Sequence, residues 1–123
     1  MKKKSKRQLI KKLDILFSKI VREGKGCLRC GKKTNLHCAH IFSRRYMTTR
    51  WNLDNAIPLC YACHIFWCHR NPIEFTIFVT KILGEEKLEE LRKLSLEKSA
   101  YTVQDLEQLL RVLEAHKPEP LCL

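Results

Sequence analysis

The sequence predicts a small α+β domain in which helices flank a core of short segments held by four cysteines. Three observations predict it. Apolar residues recur at helical spacing before residue 24 and after residue 72, but not between. Two Cys-x-x-Cys pairs, Cys27/Cys30 and Cys60/Cys63, bracket that middle stretch. The length, 123 residues, suits one ordinary domain and leaves no room for a second full core.

In chain order, Leu9, Leu13, Leu16, Phe17, Ile20 and Val21 mark an amphipathic helix over residues 6–23, with Gly24 as its stop and residues 2–7 as a basic arm. Strands are expected at 36–42 and 56–59. Helical spacing returns in 73–83, continues beyond Gly84 through Leu88, Leu91 and Leu94, and resumes at Val103, Leu106, Leu110 and Leu113. Thr102 with Asp105 has the form of a capping box. The division is therefore an arm and helix at 1–24, a metal-stabilised core at 25–80, C-terminal helices at 81–117 and a loose tail at 118–123. The leucines of the last helices suit a core or a homodimer interface.

Charge is uneven. The chain carries 24 Lys and Arg against 13 Asp and Glu, a formal +11, and residues 1–50 hold 16 of those cations with only 2 acids. A polyanion is the natural partner of such a half, and composition alone does not say which. Lys3, Lys4 and Arg7 in the arm are candidate phosphate contacts, as are Arg44, Arg45 and Arg50 between the strands. There Tyr46 and Trp51 also offer cation–π packing. A plainly solvated basic face is the bland alternative. No apolar stretch approaches a membrane span and no signal-peptide pattern is present, so a cytoplasmic location, in phage or host-cell cytosol, is expected, with no membrane partner. In a reducing cytosol seven cysteines point to metal rather than disulfides.

Two Cys-x-x-Cys pairs can offer four thiolates to one structural Zn²⁺, so Cys27, Cys30, Cys60 and Cys63 are assigned to it. Cys38, Cys68 and Cys122 remain as packing or surface thiols. The 29 residues between the pairs exceed the usual zinc-ribbon spacing, which implies a functional insert.

That insert reads Leu36-His37-Cys38-Ala39-His40-Ile41, then Asn52-Leu53-Asp54-Asn55-Ala56-Ile57-Pro58-Leu59-Cys60, then Cys63-His64. It resembles the HNH endonuclease family across residues 27–75. The resemblance implies a ββα-metal (His-Me) finger, a phosphodiester hydrolase activity, His40 as general base, Asn55 as the asparagine fixing the loop that holds the base, and His64 as a ligand of a catalytic Mg²⁺ or Mn²⁺. Hydrolysis needs these types: a base to activate water, and a divalent metal to neutralise charge on the phosphate. The departure is Ala39, where many members carry a second metal ligand. His37, two residues earlier on the same strand face, could replace it. His69, five residues after His64, falls off its face if the helix is regular, and Asp54 is an outer-shell acid or simply solvated.

Within that family, Ala39-His40-Ile41-Phe42-Ser43-Arg44-Arg45, Arg50-Trp51-Asn52-Leu53-Asp54-Asn55 and Asn71-Pro72-Ile73-Glu74-Phe75 are similar to the NinG (Rap) recombination nucleases of phage. The zinc-plus-HNH arrangement also resembles the recombination endonuclease VII family. These likenesses imply action on branched recombination DNA, and the second implies a dimer. The competing function is a zinc-knuckle nucleic-acid-binding protein whose site is dead for want of an acid at Ala39; a protein adaptor using the C-terminal helices is a third.

Overall fold

The computed structural model describes residues 4–116. Lys3, Cys122 and the expected tail lie outside the described residues. Helix α1 spans Lys6–Arg22, one residue short of its expected end. It opens with a capping box: the Ser5 hydroxyl accepts the Gln8 N–H, and the Gln8 side chain accepts the Ser5 N–H at 2.8 Å. It closes at Gly24, whose φ of +68° is the left-handed turn that glycine adopts without steric cost.

Two strands form the sheet, β1 (Leu36–His40) and β2 (Ala56–Cys60), antiparallel with Leu36 opposite Cys60 and His40 opposite Ala56. The expected extension of β1 to residue 42 does not form. Ile41 still donates its N–H to the Asn55 carbonyl, but Phe42 donates instead to the Asn55 side-chain oxygen at 2.8 Å, so a side chain takes over from the ladder. Between the strands lie a single helical turn, α2 (Met47–Arg50), and a 3₁₀ turn at Leu53–Asn55.

After β2 the chain winds as a π-helix, Ala62–Cys68, then as α3 (Pro72–Leu83), α4 (Glu85–Ser95) and α5 (Val103–Glu114). Proline opens α3 where its missing N–H costs nothing, and Thr102 with Asp105 caps α5 as expected, Asp105 accepting the Thr102 N–H at 2.9 Å. The structure is thus a small α+β fold.

Its apolar interior has two parts. In one, Leu9, Leu13, Phe17, Ile20 and Val21 of α1 pack against Leu106, Leu110 and Leu113 of α5 and against Trp51. Those leucines are therefore core. In the other, Ala39, Ile57 and Leu59 of the sheet pack with Trp67, Phe75, Val79 and the buried Cys27, Cys60 and Cys63. The sheet lies between the two, which is why every residue of β2 is buried. Among the described residues no helix is long and apolar enough to cross a membrane.

Candidate functional site

The sulfurs of Cys27, Cys30, Cys60 and Cys63 all lie within 4.8 Å of one another. Four sulfurs on one tetrahedral zinc at about 2.3 Å would stand roughly 3.8 Å apart, so the cluster fits a metal such as zinc with little movement. Local structure explains the convergence. The Gly31 N–H returns to the Cys27 carbonyl at 2.8 Å with Gly31 at φ +82°, closing the first knuckle. Leu28 N–H then donates to the Pro58 carbonyl at 3.0 Å, tying that knuckle to β2, from which the second pair emerges. Burial raises the Cys27 thiol, but the backbone N–H groups of Cys60, Cys30 and Arg29 outweigh it and bring it down to about 6. Burial pushes Cys63 up to about 12, with Arg29 opposing and the neighbouring thiols adding to the rise. A bound cation reverses that second effect, since a coordinating thiol is deprotonated outright.

Beside the cluster opens a cleft of about 590 Å³ lined by Asp14, Arg22, His37, His40, Arg44, His64 and His69 among others. His40 ends β1, and its Nε2 lies 3.0 Å from the Arg50 carbonyl oxygen. A carbonyl only accepts, so Nε2 carries the proton and Nδ1 keeps the lone pair. No group among the described residues bonds Nδ1. Burial lowers the imidazole pKa below its ordinary value, and the Arg50 carbonyl offsets only part of that, so the ring is neutral at pH 7.

Asn55, fully buried at 0% exposure, fixes the loop carrying that carbonyl. Its Nδ2 donates to the Thr49 and Phe42 carbonyls, both at 3.0 Å, and its Oδ1 accepts from Phe42. Residues 42 and 49 are thereby tied together next to Arg50, whose carbonyl meets His40.

Across the cleft, His37 Nδ1 and His64 Nδ1 are 2.9 Å apart, a hydrogen bond in which one tautomer donates. Nitrogens sharing one metal at about 2.0–2.1 Å stand roughly 2.9–3.4 Å apart, so the pair also fits as two neighbouring ligands. Burial, together with the charges of His69, His37 and His40, pushes His64 down to about 4, which leaves it unprotonated at neutral pH. Ala39, on the same strand, is fully buried in the second core and cannot reach this pair. Among the described residues the four cysteines are the one convergent set of three or more such ligands; the histidines offer two.

His69 departs from its expected place. In the π-helix the His69 N–H bonds the His64 carbonyl five residues back at 3.2 Å, which sets the two side chains over one another with ring centroids 4.5 Å apart. The irregular winding converts a five-residue spacing into one face.

The basic residues divide. Arg44 is 62% exposed at the cleft rim, and Arg45 stacks on Tyr46 with its guanidinium carbon 5.1 Å from the ring centroid. Arg50 instead turns inward: its Nε donates to Asp14 Oδ1 at 3.0 Å and its Nη1 to the Arg44 carbonyl, with Trp51 5.4 Å beneath it. Lys4 and Arg7 are exposed at the start of α1. Asp54 is half-exposed and pairs with Lys87 at 3.3 Å, away from the cleft lining. Asp14, which sequence reasoning did not single out, also accepts from Trp51 Nε1 at 2.9 Å. No local pattern marks it, because its partners are 36 and 37 residues away. Cys38 lines the cleft with its thiol pushed up to about 12 by burial, and it lies outside the four-cysteine cluster.

Comparison with family models, with curated proteins and with solved structures finds no match.

Proposed function

We propose that the protein is a metal-dependent DNA endonuclease of the HNH type. The observation that carries the reading is the His40 arrangement: a neutral, half-buried imidazole whose Nε2 is committed to the Arg50 carbonyl while Nδ1 stays free at a cleft. That is the state a general base needs. In the proposed reaction His40 Nδ1 accepts a proton from water, the water oxygen attacks phosphorus, and the bond from phosphorus to the leaving sugar oxygen breaks. Asn55 holds the loop so that the ring does not turn. Arg44 and Arg22 at the rim attract the phosphate. His64 and His37 would hold a divalent metal, which supplies neutralisation of charge on the phosphate and the leaving oxygen. Imidazole donors favour first-row transition ions over Mg²⁺, so Mn²⁺ fits better than Mg²⁺.

The experiment is cleavage of labelled duplex, single-strand, flap and four-way DNA by zinc-loaded protein with Mg²⁺, Mn²⁺, Co²⁺ or Ni²⁺, and with chelator. Cleavage dependent on added metal, and preference for branched substrates, are the expected results. Binding without cleavage under every metal would favour the zinc-knuckle binding protein with a dead site.

A further inference from the structure

Next to the histidine cleft two aromatic rings stand in water. Tyr61 and Phe66 are 49% and 48% exposed, and they touch edge to face with centroids 5.7 Å apart. Their placement follows from the winding after β2. The inner side of the π-helix carries Trp67, buried against Phe75 and Phe78, which leaves Phe66 and Tyr61 on the outer side. The pair continues the cleft wall: the Tyr61 ring lies 5.7 Å from that of His37, itself 5.2 Å from His64. At the far end the Arg70 guanidinium sits over Phe66, 5.0 Å from its centroid. Single exposed apolar residues need no explanation. Two aromatic rings and an arginine in mutual contact, continuous with a basic cleft, form a platform.

We infer that Tyr61, Phe66 and Arg70 stack an unpaired nucleobase beside the cleft, so that the substrate is nucleic acid with single-stranded nucleotides next to the scissile phosphate. This rests on the nucleic-acid reading above. Bases inside a duplex are already stacked and show a surface ring only their edges and backbone, whereas an unpaired base offers a π-face. A backbone track needs only cations, and those lie elsewhere on the cleft rim. The aromatic wall adds affinity that does not depend on charge, and only for strands with free bases. The positive character of the surrounding surface, with Arg70 at one end and Arg22 and Arg44 across the cleft, favours a polyanion over an apolar protein face as the occupant.

The test is fluorescence anisotropy of the full chain, zinc retained and no other metal added, with a labelled single strand and its blunt duplex, over a range of salt. Tyr61→Ala and Phe66→Ala should each lower single-strand affinity about five-fold or more. Duplex affinity and the salt slope should hold, and Tyr61→Phe should bind as the parent does. Tyr61 lies within the second cysteine pair, so zinc content is measured for each variant; if Tyr61→Ala loses zinc, Phe66→Ala decides alone. Unchanged single-strand affinity, equal losses on duplex and single strand, or a changed oligomeric state in place of a binding change would each overturn the inference. Parent protein that binds no DNA would overturn it together with the proposed function. If single-strand selectivity holds but no substrate is cleaved, the nuclease reading fails and the platform stands.

Discussion

At the residue scale the cleft depends on two polar groups that act through their neighbours. Asn55 bonds three backbone groups of Phe42 and Thr49, and Asp14 gathers Arg50 and Trp51 from across the chain. The Arg50 carbonyl in turn holds His40, so an acid on α1 positions the base through another residue. Burial works to raise the Asp14 pKa, but the Arg50 and Trp51 hydrogen bonds and the nearby arginine charges outweigh it and hold the carboxyl below its ordinary value. A depressed pKa contributes stability that is complete above the unfolded value of about 3.9 and lost as pH falls through the folded one. Asp14→Asn should therefore lower stability at pH 7 by about 1.5–3 kcal/mol, the worth of a charged hydrogen bond. The gap to the parent in urea unfolding should narrow below about pH 4. A gap of constant size down to acid would show that the charge is not what Asp14 contributes. His64→Ala makes a different prediction: folding and DNA binding persist, while the metal concentration for half-maximal cleavage rises.

At the element scale the knuckles and the π-helix decide the geometry. Cys60 ends β2 and Cys63 lies in the first turn of the π-helix, so one metal on the four sulfurs would fix the helix to the sheet, with His64 opposite His37. About one tightly held zinc per chain is the expected elemental content, because metal affinity and folding are coupled in such sites. Cys60→Ser should lose it and unfold the sheet region, while the separate packing of α1 on α5 keeps part of the helical circular dichroism. Protons compete with metal for thiolates, so zinc should be held at neutral pH and released on acidification. Retention of zinc at pH 4 would contradict this.

Helices were legible because their apolar residues keep one period, and α5 also carries a recognisable cap at Thr102. The cysteine pairs were legible from spacing alone. What spacing could not show is the π winding, because a 3.6-residue period is the default in reading any helix and nothing in Ala62–Cys68 announces i to i+5 bonding. A regular helix would set His69 off the face of His64, and only the π winding brings the two rings together and leaves Tyr61 and Phe66 exposed side by side. The end of β1 was not legible for a related reason: a buried asparagine side chain from the 3₁₀ turn, 13 residues further along the chain, ends the ladder.

At the scale of the whole molecule the charge is lopsided, and the fold puts Arg22 and Arg44 of the basic half around the histidine cleft. DNA affinity should fall steeply with salt, with a log-log slope of about 0.9 per phosphate neutralised. Replacing the exposed Lys4 and Arg7, or Arg44 and Arg45, should reduce that slope. Arg50→Ala should leave the slope alone and destabilise the fold, because its guanidinium is spent on Asp14. A slope reduced as much by Arg50→Ala as by Arg44→Ala would mean that Arg50 also reaches phosphate.

The central claim is that His40 activates water, and single-turnover cleavage by His40→Ala tests it most directly, with zinc content and DNA affinity measured on the same sample. His40 is half-buried against Phe17, outside the cysteine cluster and the basic rim. The variant should keep its zinc and its DNA affinity and lose about 10²- to 10⁴-fold in cleavage rate. A folded, DNA-binding His40→Ala protein that cuts at the parental rate would contradict the account.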